Sequence, residues 1–458
     1  MTFLLMILLP WAMAAGCFAL RSNARLGISA ALATLAVVII FLVNLPLDEP
    51  VRSLGIALAI DRPGQMLIGA LLLAVGTAFV AWTALPVGQN TPASLLVVLG
   101  LVLAALLFQS AVSALTLLLM AAALGTLLIV DAQAGTTLLA PRAIASAVIR
   151  LVLLLIGTLL LVMGYTLPSA ASDAFSLSTV LMWTGLAIWA TMIPFNITLA
   201  DLAEDTTPYV FLCAVVIPQA VVLAVFERIL RVQPLVAPGV SHLLLLVATG
   251  ITIVGAPLLA RGTVRRAMAF VLLTNVGQIV LGMVLGVSAG GVSLVASHVL
   301  SAALICSSIA LLEVHVPGQS GAGEPWRERP IAAAGLVIGL LLLLGVPGLG
   351  SFAPKLILWQ AAWRDGALAF GILAVGTVLL VRAAIQLVRA MLFTPAERRE
   401  ADRRAHWRRR VAPVGAPASD VATLPVVVPP YVPVTLRSWT VLLIVIAVAT
   451  AIDTLLPS

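Results

Sequence analysis

The stretch LLLLGVPGLGSFAPKLILWQ, residues 341–360, is apolar but contains two prolines and three glycines. Lys355, the only lysine of the chain, stands just beyond these helix breakers. A helix break inside a membrane leaves backbone groups that must bond to protein or to water, so broken membrane helices usually line a polar cavity. This pattern therefore predicts a polar site with one basic residue inside a membrane protein.

The composition of the whole chain agrees with a membrane location. Of its 458 residues, 62% are hydrophobic and 9% are charged, and the mean hydropathy is +1.19. One water-exposed globule cannot bury that much apolar surface. Apolar runs of roughly 20 residues favour helices over a β-barrel. We therefore predict an all-α polytopic membrane protein with about fourteen transmembrane helices.

Apolar runs bounded by glycine, proline or charge mark the predicted spans. These lie near 3–20, 26–45, 65–85, 92–108, 111–130, 143–164, 178–199, 208–230, 241–260, 266–287, 291–312, 331–363, 367–391 and 437–456. Arg21 and Arg25 follow the first run and do not precede it. This order is typical of an uncleaved first span that starts outside, not of a signal peptide.

Positive charge is concentrated in the odd-numbered connections between these spans. The largest cluster is ERREADRRAHWRRR at 397–410. The positive-inside rule places these connections in the cytoplasm and both termini on the outer face of an inner (cytoplasmic) membrane. It also accounts for the pI near 10.3 without a nucleic-acid partner. The basic cluster is interpreted as a solvated loop, with lipid-headgroup or partner docking as the alternative.

A second interrupted segment, LAIWATMIPFNITLADLAEDTTP, lies at 186–208. Paired interruptions in two halves of a chain are typical of transporters built from inverted repeats. We predict that both segments are broken helices near mid-membrane. Two proline kinks tolerated by packing are the alternative.

Three residues are candidates for charge inside the membrane. Lys355 in a low-dielectric site would have its charged form disfavoured and could carry a proton, whereas the alternative is a lysine that snorkels to an interface marked by Trp359 and Trp363. His298 could relay protons or could simply bond to a carbonyl. Arg150 needs a partner or a wet cavity, and the sequence identifies neither.

The three cysteines, Cys17, Cys213 and Cys306, are scattered, with no histidine at ligand spacing. We therefore expect no iron–sulfur cluster, structural zinc or disulfide framework, and no cofactor.

Four stretches carry a resemblance to a known family. IPFNITLADLAEDTTPYV at 193–210 resembles a broken-helix signature in which Pro-Phe-His and Trp-Leu-Pro-Asp precede Ala-Pro-Thr-Pro-Val. VRRAMAFVLLTNVGQIVLG at 264–282 is similar to a Lys-Arg-x-x-Ala-Tyr segment that continues to Gln-x-Gly. SHVLSAALICSS at 297–308 resembles His-x-x-x-His-Ala-x-x-Lys, and GVPGLGSFAPKLIL at 345–358 resembles Gly-x-Pro-Pro-x-x-Gly-Phe-x-x-Lys.

The chain thus resembles the antiporter-like membrane subunits of respiratory complex I and their relatives in multisubunit cation/proton antiporters and membrane-bound hydrogenases. The resemblance implies fourteen helices with two inverted five-helix repeats, each containing a broken helix. It implies that Lys355 ends a buried proton path, and we expect protons to reach it by way of His298. The supporting polar or charged positions are Arg150, Asn196, Asp201, Arg266 and Asn275.

The resemblance also implies a division of the chain. The predicted parts are N-terminal transmembrane helices at 1–90, a first repeat at 91–232, a second repeat at 233–395, a basic and then proline-rich cytoplasmic loop at 396–436, and a C-terminal transmembrane helix at 437–458.

The departures from the family pattern fall mostly in the first half. Trp189 stands in place of the lysine of the first broken helix, and Pro218 or Gln219 stands near the usual lysine of the next helix. Asn196 replaces a histidine, and the fifth span contains no glutamate. In the second half, Ala302 replaces another histidine and Cys306 a lysine. The first half is therefore predicted to lack charges that could carry a proton.

Three functions remain open on this basis. The first is a diverged subunit of a complex I-type assembly that moves protons mainly through its second repeat, with other membrane subunits and the lipid bilayer as partners and no catalytic centre of its own. The second is a transport-inactive scaffold. The third is a subunit of a cation/proton antiporter, membrane-bound hydrogenase or bicarbonate-uptake complex, in which sodium exchange is disfavoured because the spans hold almost no acidic residues.

Overall fold

In a computed structural model, helices account for most of the described residues. The structure describes residues 2–47, 50–53, 55–82, 88, 90–134, 141–167, 176–233, 240–287, 291–313 and 329–393. The predicted loop at 396–436 and the predicted last helix at 437–458 lie outside these residues.

The helices of the first half follow the predicted spans closely. They are α1 (Thr2–Ala19), α2 (Ala24–Val43), α3 (Arg62–Trp82), α4 (Thr91–Leu107), α5 (Ala111–Ala134), α6 (Pro141–Thr166), α7 (Leu177–Trp189), α8 (Leu199–Asp205), α9 (Pro208–Phe211) and α10 (Ile217–Val232). A π-helical turn, Leu212–Val216, joins α9 to α10.

The second half contains the remaining described helices. They are α11 (Val240–Leu259), α12 (Val264–Val284), α13 (Gly291–Glu313), α14 (Pro330–Leu344), α15 (Phe352–Asp365) and α16 (Ala367–Val388), followed by a second π-helical turn, Arg389–Phe393.

A short hairpin departs from the all-α prediction. Strand β1 (Val51–Ser53) pairs antiparallel with β2 (Ile56–Leu58), and Gly55 in the turn has φ +80°. The Ala59 amide donates to the Leu107 carbonyl, which ties the hairpin to the end of α4. The hydropathy pattern could not show this element because its strands are only three residues long.

Ten of the described helical segments are long and apolar enough to cross a membrane. The most apolar 18 residues of the segment Pro208–Val232 are all buried by neighbouring helices, and those of Val264–Val284 and Gly291–Glu313 are nearly all buried. The outer helices expose large apolar side chains such as Val152 and Val378. The protein is therefore a multi-pass membrane protein with its most buried helices at the centre, as expected for a bundle whose outer surface meets lipid.

Both predicted interruptions are present. Helix α7 has 13 residues, α14 has 15 and α15 has 14. At 1.5 Å per residue, none of them reaches the roughly 30 Å of a bilayer core. At both sites the helix ends and does not merely bend, so the interpretation as two proline kinks is wrong.

Candidate functional site

The break after α14 is built by the residues of the opening motif. Gly345 ends the helix with φ +75°, and its amide bonds back to the carbonyls of Leu341 and Leu342. The Ser351 hydroxyl, fully buried, donates to the Leu342 carbonyl at 2.5 Å. Glycine adopts this left-handed conformation without steric cost, and the serine supplies a donor for a carbonyl at the helix end. The polar backbone of the break is thereby partly satisfied within the protein.

The break delivers Lys355 into the protein interior. A Cβ on Gly345 would lie 2.9 Å from Lys355 Cγ, so the lysine stem packs directly on the bare glycine backbone. Lys355 is only 5% exposed, and its Nζ donates to Asn275 Oδ1 at 2.7 Å and to Gln278 Oε1 at 2.5 Å. A snorkelling lysine would place its amine at the surface, so that alternative is wrong.

The amide groups on α12 accept from Lys355 without fixing its charge. Among the described residues, no carboxylate forms an ion pair with Lys355. An ammonium has three N–H donors, and a neutral amine has two, so either form can satisfy both amide oxygens. The site therefore suits a group that gains and loses a proton in place.

His298 is linked to this lysine through Asn275. Its Nδ1 lies 3.1 Å from Asn275 Nδ2, and the ring is fully buried. Because Asn275 Oδ1 faces the lysine donor, Nδ2 must donate to His298, which places the proton of a neutral ring on Nε2. Nε2 has no hydrogen-bond partner among the described residues. The histidine thus contacts the lysine site through an amide and not directly.

Gln278 is a site residue that the sequence reasoning missed. Its Oε1 accepts from Lys355, and its Nε2 lies 3.5 Å from Thr377 Oγ1 on α16. Asn275 and Gln278 are three residues apart, which places them on one face of α12. That spacing of two amides within an apolar helix was the signal that could have revealed the pair.

The corresponding break after α7 is closed by neutral side chains. Gln219 Nε2 donates to the Ala190 carbonyl at 2.5 Å and lies 3.1 Å from Thr191 Oγ1. Trp189 is fully buried, and its indole N–H donates to Thr158 Oγ1 at 3.0 Å. Trp189 and Gln219 lie at or near positions where the family has lysines, and neither side chain can carry a proton at neutral pH.

Arg150 is the one predicted intramembrane charge of the first half, and it is buried at 5% exposure. Its Nη1 donates to the Ala214 carbonyl at 2.8 Å and its Nη2 to the Val215 carbonyl at 3.4 Å. Pro218 has no N–H to offer the Ala214 carbonyl four residues earlier, so that oxygen is free to accept from arginine. The partner that the sequence could not identify is therefore the backbone at the π-helical turn.

The other predicted supporting residues lie outside the Lys355 cluster. Asp201 Oδ2 accepts from the Ser146 hydroxyl at 3.4 Å. The Arg266 guanidinium stacks 5.7 Å above the Phe270 ring, at the beginning of α12. Asn196 sits in the break after α7, where its carbonyl accepts from the Leu199 amide. Of the predicted residues, the structure brings together only Lys355, Asn275 and His298.

Known proteins share both the sequence pattern and the fold. Residues 136–380, more than half of the chain, match the family described as NADH:quinone oxidoreductase/Mrp antiporter, transmembrane. The chain is 24% identical to NADH-quinone oxidoreductase subunit N of Phocaeicola vulgatus, over 48% of this chain and 49% of the relative. It spans about half the length of the curated relatives it matches.

Solved structures extend the likeness over most of the fold. A chain of respiratory complex I from Thermus thermophilus with bound NADH superposes with a TM-score of 0.72 at 15% identity, covering 86% of this chain and 89% of that chain. A chain of the Mrp complex from Dietzia sp. DQ12-45-1b gives 0.70 at 18% identity, covering 85% and 79%. With the family match and the predicted motifs, these findings show that the chain belongs to the NADH:quinone oxidoreductase/Mrp antiporter transmembrane family.

Proposed function

We propose that this chain is a diverged antiporter-like membrane subunit of a complex I-type assembly and contributes to redox-coupled proton translocation through its second half. One observation carries the proposal: a buried lysine beside a helix break, held by two amide oxygens. Intramembrane ionisable residues are costly, and those that are kept usually mark ion or proton pathways. The family membership supports the same function.

The chemistry proposed for Lys355 is uptake and release of one proton. Asn275 and Gln278 hold the amine in both protonation states, so a change in local electric field can move the proton without moving the side chain. We propose that such a field comes from neighbouring subunits. The subunit therefore converts an electrostatic signal into proton release.

His298 is proposed to supply protons to the lysine site. The intervening Asn275 amide cannot pass a proton onward as an imidazole can, so transfer between the two groups needs water beside the amide. Asn275 is accordingly a positioning residue that keeps the ring and the amine at fixed separation. Arg150, by contrast, serves as a fixed charge that stabilises the first half.

The architecture proposed for the full chain is that of the family: fourteen helices and inverted repeats at 91–232 and 233–395. The presence of one helix break in each range supports this division. The similar solved chains come from complexes with several components, which supports other membrane subunits as partners. We propose an inner-membrane location with both termini on the outer face; the charge distribution supports that orientation.

A scaffold without transport is the second candidate, favoured by the neutral network around Trp189 and Gln219. The test is Lys355→Ala within the assembled complex. Our proposal predicts normal assembly with strongly reduced proton translocation. Normal translocation at normal assembly would identify the chain as a scaffold.

The assembly itself is tested by purifying the tagged chain from its native membrane and identifying the proteins that accompany it. A complex I-type assembly predicts redox subunits in stoichiometric amounts. Isolation as a lone monomer, or with antiporter or hydrogenase components, would contradict that assignment. In reconstituted vesicles, a sodium-driven change in proton flux would indicate cation exchange instead.

A further inference from the structure

We propose that an anionic phospholipid binds in a groove between α11 and α16, with its phosphate on Arg261 and Arg382. These arginines line one small pocket together with Gln386, Leu258 and Leu379. No carboxylate is among the residues that line the pocket. Neither guanidinium has a hydrogen-bond or ion-pair partner among the described residues. This site is separate from the Lys355 cluster and does not depend on the proposed proton path.

An arginine just beyond the end of α11 and another on α16 favour a phosphate ligand. Arginine presents a planar fork of N–H donors that matches phosphate oxygens, and its side chains are commonly paired with that group. Gln386 lies one helical turn beyond Arg382, so its amide adds a neutral donor on the same face. Both arginines are exposed at the end of the bundle where α11 stops and α16 nears its end. Headgroup phosphates would be present at such a position.

Exposed apolar side chains continue from this pocket along both helices. On α11, the residues 247, 251, 254 and 258 follow spacings of four and three and so form one face, and Arg261 lies two residues beyond the end of the helix. Val247, Ile251 and Leu258 are between 43% and 52% exposed. From Val247 to Leu258 is eleven residues, or roughly 16 Å of helix. That length suits much of a phospholipid acyl chain.

The floor of the groove is formed by close packing of the two helices. A side chain at Gly250 would meet Ile372, and one at Gly376 would meet Ile253. These contacts show that α11 and α16 run in the same direction, which brings their arginine-bearing ends together. Val375 and Val378 on α16 are 51% and 69% exposed. Apolar side chains next to paired arginines fit a phospholipid better than a free phosphate, because only the lipid has acyl chains that can pack on them.

The test is native mass spectrometry of the full-length chain titrated with dioleoyl phosphatidylglycerol. We expect Arg261→Gln with Arg382→Gln to weaken binding about tenfold or more, because two phosphate contacts are lost. Arg364→Gln is the matched control, since Arg364 is an exposed arginine at the last turn of α15. It should leave the affinity within about twofold of the unchanged protein.

Further arms of the experiment change the ligand and test for contacts with neighbouring subunits. Dioleoyl phosphatidylcholine should bind at least tenfold more weakly, and millimolar inorganic phosphate should not displace phosphatidylglycerol. Displacement by phosphate would show a free-anion site and overturn the proposal. Unchanged lipid binding by the double variant would also overturn it. If that same variant releases neighbouring subunits from the native complex, the arginines contact protein and not lipid.

Discussion

At the scale of single residues, the notable feature of the site is that two amides hold Lys355. Carboxylates at the same positions would stabilise its protonated, positively charged form. Asn275 and Gln278 accept from Lys355, and Asn275 also donates to His298. One asparagine therefore sets the position of both groups. An amide has the same shape as a carboxylate but carries no charge, which gives a direct way to test this arrangement.

Asn275→Asp should slow proton translocation by tenfold or more while preserving assembly. A carboxylate about 4 Å from an ammonium contributes about 4 kcal/mol at an effective dielectric constant near 20, which would hold the proton on Lys355. The measurement is proton uptake by vesicles that contain the assembled complex. Asn44→Asp, at the exposed end of α2, is the control. Equal rates for the two variants would show that Lys355 does not need to release its proton.

The site could be predicted from the sequence only where a residue was unusual in its context. Lys355 and His298 were visible as ionisable groups in apolar runs, and both are buried together. Gln278 was not found because an amide in a helix is ambiguous without its partners. The acceptors of Arg150, the Ala214 and Val215 carbonyls, could not be found because backbone groups carry no side-chain signature; only the first of them is left without a helical donor by Pro218.

At the scale of elements, the positions of the helix breaks could be predicted from the sequence. The side chains that bond to the backbone at those breaks could not. Proline and glycine within apolar runs indicated both interruptions. Gln219, which bonds to the end of α7, comes from α10, 29 residues away, whereas Ser351, which bonds to the end of α14, lies within the break itself. The hairpin of β1 and β2 was missed because three-residue strands leave no periodic signal.

Gly345→Ala should destabilise the break after α14 and displace Lys355. Alanine pays about 1–2 kcal/mol in the left-handed conformation, and its Cβ would press on the lysine stem. Gly371→Ala is the matched control, because a Cβ there meets no atom within 4 Å and alanine favours the helix. Thermal unfolding in detergent should show a lower Tm for the first variant alone. Equal Tm values would mean that the left-handed glycine is not required.

Arg150 and Pro218 should be energetically coupled. Arg150→Leu leaves the Ala214 carbonyl without its donor and should lower stability by about 1–3 kcal/mol. Adding Pro218→Ala supplies a backbone N–H four residues after Ala214, so the double variant should recover part of that loss. A double-mutant cycle of denaturant unfolding measures the coupling. Strictly additive effects would contradict the proposed role of the π-helical turn.

At the scale of the whole molecule, the charge distribution predicts how the chain crosses the membrane. Single cysteines introduced as Ala405→Cys and Ser458→Cys should react with membrane-impermeant reagents from opposite faces. The first should be cytoplasmic because it lies in the basic loop 397–410, and the second should be outside. Modification of both from one face would contradict the count of fourteen spans.

The two halves differ in what they place beside their helix breaks. The second half buries Lys355, to which we assign proton exchange, whereas the first buries Trp189, bonded through its indole to Thr158. An indole N–H does not exchange protons in this way at neutral pH. A helix break is thus present in both halves, while the proposed proton path runs through only one.

The most direct measurement compares Lys355→Met with Trp189→Phe in proton translocation by vesicles that contain the assembled complex, with assembly checked for each variant. Methionine keeps the length of the buried stem but cannot carry a proton, so translocation should fall by tenfold or more. Phenylalanine keeps the aromatic packing and loses one hydrogen bond, so translocation should stay close to that of the unchanged protein. An equal loss in both variants at normal assembly would show that the first half is also part of the path and would contradict the account.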